Sequence, residues 1–388
     1  MSGRKKITKL CCLLLMGLLW LCSCGSPSSN SGKNLDVNEN KLGGLKKINS
    51  MGLQYAQNFS VDYYEGGYKL LATKDGTKIL VVPKGKETPD GLDEDIIVMN
   101  QPVKNLYLVA SSVMDMFSEL GALDSIKLSG QKMENWYIKD AKDAMAKGDI
   151  LYAGKYNKPD YELIISKNCS LAIENTMITH SPEVMEMLKK FSVPAMIEYS
   201  SYESHPLGRV EWIKFFGALV DKDEKAEEIF EKQIKLVNQV TSDENKTGKT
   251  VAFFFITSNG LVQVRQSSDY IPKMIELAGG KYIFNNIGDS ESKRSTMNMQ
   301  IEEFYNGAKD ADYIIYNSSI DGGVNSIEEL TDKCTVLKDF KAVKEGKVWC
   351  TTNDMYQQSM SIGYMIDDIH KMLNGKPDDT MKYLFRLE

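Results

Sequence analysis

The sequence predicts a two-lobed α/β protein, each lobe a mostly parallel sheet flanked by helices. Three observations carry the prediction. Short apolar runs alternate with helical patterns between residues 105 and 198, the alternation restarts at residue 250, and a proline-free helical stretch at 208–241 separates the two series. The 388 residues suffice for two or three domains, and 42% hydrophobic residues with 10 prolines allow a sizeable core and exclude wholesale disorder. With 47 Lys and Arg against 53 Asp and Glu the formal charge is −6, and no basic stripe follows residue 50. Nucleic acid is therefore excluded as the main partner, because phosphate binding needs a basic face.

The chain opens with Arg4, Lys5, Lys6 and Lys9 and no acid, followed by an apolar run over 10–21 that ends in Leu21-Cys22-Ser23-Cys24. A bilayer-spanning helix takes about 20 apolar residues, so the run reads as an export signal over 1–23. Leu, small, small, Cys resembles a bacterial lipobox, which implies that Cys24 is acylated and becomes the first residue of the mature chain. Residues 25–32 are Gly, Ser, Pro and Asn and cannot build a core. They begin a tether over 24–44 with a reach of ~25 Å as a flexible coil. Acyl chains would hold a soluble body at the extracytoplasmic face of the cell membrane. Cleavage removes four bases and no acids, which takes the formal charge from −6 to −10. Cys169, Cys334 and Cys350 remain in the body, too few for a disulfide framework. They are expected to be small buried apolar residues, with a Cys334–Cys350 pair as the alternative.

The N-terminal lobe is expected over 45–208. Alternating Tyr68, Leu70 and Ala72, then the apolar run 78–82, flank an Asp75-Gly76 turn and read as a hairpin added to that lobe. Strands follow at 105–110, 170–174 and 194–198, with helices at 112–121 and 182–191. The connector, 209–241, places Val210, Ile213, Phe216 and Leu219 and then Ala226, Ile229, Phe230, Ile234 and Val237 at helical spacing. Residues 221–225 interrupt it and offer a cap, Asp221 or Asp223. Its second segment, 224–240, would span ~25 Å and act as a stiff rod that limits closure of the lobes. The C-terminal lobe, 242–388, carries strands at 250–256, 312–316 and 347–350. Its helices are 271–278, closed by Gly279-Gly280, a segment near 326–331, and 361–373.

Four stretches carry a family resemblance by their order and spacing. They are Val109-Ala-Ser-Ser-Val-Met-Asp-Met-Phe-Ser-Glu-Leu-Gly-Ala-Leu-Asp-Ser-Ile126, Asn168-Cys-Ser-Leu-Ala-Ile-Glu174 followed by Pro182-Glu183-Val184, Gly208-Arg-Val-Glu-Trp-Ile-Lys-Phe215, and Tyr270-Ile-Pro-Lys-Met-Ile-Glu-Leu-Ala-Gly-Gly-Lys-Tyr-Ile-Phe284. Over roughly residues 100 to 375 the chain resembles the substrate-binding lipoproteins of bacterial ABC importers, in the helix-linked class that captures iron chelates, haem and cobalamin. The resemblance implies a ligand held between two lobes, delivery to permease subunits, and an acidic docking residue on each lobe. Counting back from Gly121 selects Asp115. In the second lobe the same count from Gly279 meets Lys273, with Glu276 one turn further along.

In open α/β sheets ligands sit beyond the carboxyl ends of the strands. The loops there nominate Trp136, Tyr137, Asn175, Tyr202, Arg265, Tyr270, Arg294 and Tyr356 as ligand-binding residues. Aromatic faces supply apolar area and guanidinium groups grip oxyanions bidentately, a pairing suited to a large planar or amphipathic chelate. Arg209 is assigned to bracing the connector. His180 and His205 are candidate metal ligands, set against ordinary loop hydrogen bonding, since neither helical nor hairpin spacing pairs them.

The sequence contains no phosphate-binding Gly-rich loop with Lys-Ser/Thr, no Gly-x-Ser-x-Gly and no His-Glu-x-x-His. Binding rather than catalysis is expected, with no cofactor. The rival readings are a lipid-anchored extracellular α/β enzyme acting on such a chelate, and an oxyanion- or metal-binding importer component.

Overall fold

A computed structural model describes residues 42–241, 246–288 and 295–388; Cys24 and Arg294 lie outside them. The first layer is a mixed sheet of β1 (Lys47–Ser50), β2 (Phe59–Tyr64), β3 (Lys69–Thr73), β4 (Lys78–Val82) and β5 (Ile96–Asn100), in that spatial order. The expected hairpin is β3–β4, turning at Gly76 with φ +90. It is only part of a five-stranded sheet, which corrects the expectation of a lone hairpin. β1 is short, mostly exposed and shows no alternation, so periodicity does not announce it.

The first lobe then runs β6 (Leu106–Leu108), α1 (Ser111–Leu120), β7 (Ile126–Ser129), α2 (Lys139–Ala146), β8 (Leu151–Tyr152), the small pair β9 (Gly154–Lys155) and β10 (Lys158–Pro159), α3 (Tyr161–Ser166), β11 (Leu171–Glu174), α4 (Pro182–Lys190) and β12 (Ala195–Ile197). Its sheet, β12-β11-β6-β7-β8, is parallel throughout. Crossover helices therefore leave every strand end on one side.

The connector is a helical hairpin, α5 (Pro206–Leu219) and α6 (Asp223–Val240). Thirteen of the fourteen residues of α5 are buried, Arg209 being the exception. Burying each of Trp212, Phe215 and Phe216 contributes about 1.5–3 kcal/mol, so α5 is core rather than an exposed strut. Gly217 is needed at the bend, because a Cβ there would stand 2.5 Å from the Ala226 side chain. Neither Asp221 nor Asp223 caps α6. Lys222 occupies the cap without a side-chain bond, and both aspartates instead hold Lys69 of β3.

α5 also anchors the first sheet. Glu211 accepts the backbone N–H groups of Gln54, Tyr55 and Ala56, each at 2.8 Å. Glu203, just before the helix, accepts those of Gln57 and Asn58 and the Trp212 indole. Five donors of one loop are thus satisfied by two buried carboxylates.

The second lobe comprises β13 (Thr250–Ile256), β14 (Val262–Arg265), α7 (Tyr270–Leu277), β15 (Lys281–Tyr282), β16 (Thr296–Met299), α8 (Ile301–Ala308), β17 (Tyr313–Tyr316), α9 (Ile327–Lys333), α10 (Lys341–Lys344), β18 (Val348–Thr351), α11 (Ile362–Leu373) and β19 (Leu384–Arg386). Its order is β16-β14-β13-β17-β18-β19, with β15 beside β13. The centre is parallel, and the flanking pairings β13–β14, β14–β16 and β18–β19 are antiparallel. The reason is local: only a five-residue turn joins β13 to β14, too short for a crossover. α6 packs on both α5 and α11, so the connector leans on the second lobe. Cys169 is partly buried and Cys334 and Cys350 are buried, all three as free thiols. Among the described residues no helix is long and apolar enough to cross a membrane.

Candidate functional site

Loops leaving the carboxyl ends of both sheets meet across the seam between the lobes. Gln357, beyond β18, accepts the Tyr137 N–H and donates to the Asn135 carbonyl, both at 2.8 Å. Arg209, from α5, lies 4.0 Å from the centre of the Tyr270 ring on α7, a cation–π contact that fits its assignment as a brace. Further down the seam, Ser359 donates to the Ser112 carbonyl at 2.6 Å and Asp115 accepts the Met360 N–H at 2.8 Å.

Arg265 organises the second-lobe wall. Its backbone N–H and C=O are both bonded to the Tyr282 hydroxyl at 3.0 Å. Its guanidinium donates to the Tyr356 hydroxyl and stands 3.8 Å from the Asp269 carboxylate. Asn317 donates to the same Tyr356 hydroxyl at 2.9 Å. Asp269 caps α7 by accepting the Ile271 N–H. Burial pushes its carboxyl pKa up, opposed by Arg265, the Ile271 N–H and Arg209. Glu198 sits under the first-lobe wall, raised by burial and opposed by Ser200, Arg209 and Ser112.

The structure brings Tyr137, Arg265, Tyr270 and Tyr356 to this seam. Trp136 does not present a ring there. It is buried, with its indole donating to Ser129 at 3.2 Å, and supports the loop from below. Asn175 caps the turn 176–180 through Met177, and Tyr202 leans on Tyr199 with ring centres 5.8 Å apart. His180 is exposed. His205 caps α5, accepting the Leu207 N–H, and stacks on Tyr55 at 4.5 Å, where burial lowers its pKa. Among the described residues no group of three His, Cys, Asp or Glu is placed to hold a metal ion. His180 and His205 belong to no such group.

Asp115 requires a correction as a docking residue. It is buried at the seam and committed to Met360, with its pKa raised to about 7 by burial, so it offers no carboxylate on an outer face. Glu276 is exposed and paired with Lys273 at 2.9 Å. Sequence reasoning missed Gln357 and Asn317, whose amides carry no motif. It also missed Met133, Met177 and Ile320, which a pattern of apolar residues reads as core but which are exposed on seam loops.

A separate groove of about 660 Å³ runs along α6 and α11, bordered by Ile229, Leu236, Tyr364 and Tyr383. Its lining includes Gln358 and Met360 of the loop beyond β18, so it adjoins the lower seam, and two of its lysines are engaged, Lys232 by Glu228 and Lys382 over the Tyr364 ring.

No family model matches the chain. An uncharacterized lipoprotein of Methanocaldococcus jannaschii is 26% identical over 387 residues, covering 91% of this chain and 89% of that protein. A periplasmic binding protein from Veillonella parvula superposes with a TM-score of 0.57 at 19% identity, covering 74% of this chain and 97% of that one. A possible iron-binding, periplasmic solute-binding protein from Staphylococcus epidermidis gives 0.55 at 16%, covering 70% and 99%. The fold is that of a two-lobed periplasmic binding protein. A periplasmic haem-binding protein of Vibrio cholerae, with a TM-score of 0.55 at 13% identity and coverage of 68% and 97%, shares it. In this fold the seam built above is the place where the carboxyl ends of both sheets converge.

Proposed function

We propose that this chain is the extracytoplasmic solute-binding lipoprotein of an ABC importer, capturing an iron chelate, haem or corrinoid between its lobes. One observation carries the reading: two sheets joined by the α5–α6 hairpin turn their strand ends to a common seam rimmed by Tyr137, Arg265, Tyr270 and Tyr356. Of the structural neighbours one is called a possible iron-binding protein and another a haem-binding protein, and the curated relative is called a lipoprotein. Acylated Cys24 would supply the anchor, and Glu276 is the proposed permease contact on the second lobe.

The test is a thermal-shift titration of the purified protein with a ferric trihydroxamate, a ferric tricatecholate, haem and cobalamin. A saturable one-to-one shift, with the ligand recovered unchanged, is expected for at least one of them. Absence of any shift overturns the reading, and recovery of an altered ligand replaces it with the enzyme alternative.

A further inference from the structure

We infer that the seam selects a bulky chelate of near-zero net charge and rejects polyanionic ones; the inference rests on the binding function proposed above. Among the described residues, the seam's arginines are Arg209 and Arg265, and both have buried carboxylates in their surroundings. Arg265 stands 3.8 Å from buried Asp269, and the fields of buried Glu198 and Asp269 both act on Arg209. Of the nearby lysines, Lys132 is paired with Glu134 and Lys139 with Asp143, while Lys142 lies 5.8 Å from the centre of the Tyr137 ring without a carboxylate partner. Asp354 adds a third carboxylate, with its Oδ1 buried and unpartnered. A ligand bearing several negative charges would meet one cation without a carboxylate partner, Lys142, too few to balance a trianion. To recruit Arg265 it would have to leave Asp269 ionised and alone in a buried site, the arrangement that makes broken internal ion pairs costly.

The apolar side of the seam points the same way. Nine large hydrophobic side chains are exposed among the described residues, and four of them lie on loops at the strand ends: Met133, Tyr137 and Met177 from the first lobe and Ile320 from the second. A group of exposed apolar side chains drawn from two lobes marks a recognition surface rather than scattered surface residues. Beside them the polar equipment is uncharged, namely the Gln357 and Asn317 amides and the Tyr356 hydroxyl. An apolar shell with a neutral hydrogen-bonding rim fits a compact complex whose ligand oxygens are already spent on their metal.

The experiment is a competition titration on the full mature chain. It uses a ferric trihydroxamate of zero net charge and a ferric tricatecholate of charge −3, each at low and high salt. The neutral complex should bind at least about 30-fold more tightly, and its affinity should change less than about twofold with salt, because little net charge is neutralised. Equal or tighter binding of the trianion, or a tenfold loss with salt, overturns the inference and leaves the importer reading standing. If neither iron complex binds and haem and cobalamin also fail, both fall together. Asp269→Asn keeps the oxygen that caps α7 and removes one negative charge, so it should strengthen tricatecholate binding about fivefold, with a lowered melting temperature because the buried pair with Arg265 is broken. Unchanged selectivity in a folded D269N protein would also overturn the inference.

Discussion

Two buried acids in this protein live under opposite conditions. Glu211, on α5, is fully buried and receives three backbone N–H groups, with Lys214 3.5 Å away. Glu174, at the end of β11, is equally buried, but neither of its oxygens has a hydrogen-bond partner. Its neighbours are the aromatic and aliphatic side chains of the outer layer of the first lobe, and burial raises its pKa to about 8. The contrast teaches that donors, rather than depth, decide whether an interior carboxyl stabilises the fold or burdens it.

Substitution can break or sharpen that contrast. The largest effect is expected at Glu211→Ala, which strands three N–H donors and should cost about 3–5 kcal/mol in urea unfolding. The first sheet should become the earliest target of limited proteolysis. A protein of near wild-type stability would show that the loop finds other acceptors.

Glu174→Gln should act in the other direction. A folded pKa near 8, against an ordinary value of 4.5, means that the unfolded chain releases its proton first as pH rises. Wild-type stability therefore falls between about pH 4.5 and 8 and levels off above, a component on the order of 2–4 kcal/mol. The Gln variant should lack it, so its urea midpoint should exceed that of wild type increasingly from pH 5 to pH 9. Parallel pH profiles would mean that Glu174 is solvated.

Arg265→Ala removes the cation that faces Asp269 and holds the Tyr356 hydroxyl, which should cost about 2 kcal/mol and weaken ligand about tenfold by loosening the cleft wall. Equilibrium dialysis with the preferred chelate reads the second effect, and unchanged affinity would remove Arg265 from the cleft wall. The smallest change is expected at Asp115→Asn, which preserves the acceptor for Met360. Burial raises Asp115, helped by Glu119 and Asp354 and opposed by the Met360 N–H, so its ionisation should erode stability as pH rises from about 4 toward 7. The variant should differ from wild type by less than about 1 kcal/mol at pH 5 and gain relative to it by pH 8.

Periodicity and end signals made α1, α4, α6, α7 and α11 legible, because each couples an apolar stripe to a Gly, Pro or charged boundary. The strands of the two lobes were legible for a related reason, as buried parallel strands read as short continuous apolar runs. The first sheet was not. β1 is a mostly exposed edge strand, β5 at the other edge is separated from the hairpin by a long loop, and the segment between β1 and β2 depends on carboxylates about 150 residues away. In the candidate site the loops were legible as the segments that leave the strand ends. Which side chains turn inward was not, since Trp136 and Asp115 differ from exposed neighbours only through tertiary packing. Charge compensation at Arg265 was equally hidden: Asp269 follows it by one helical turn, but sequence does not say that both end up buried.

The clamp formed by Glu203 and Glu211 has a mechanical consequence. The opening sheet is fastened to α5 through five backbone donors, while among the described residues a single further side-chain hydrogen bond, Tyr199 to Asp75 at 3.3 Å, ties it to a first-lobe loop. Were Cys24 to carry the proposed anchor, load drawn through the amino end would be taken up mainly by the connector and would spare the loops of the seam.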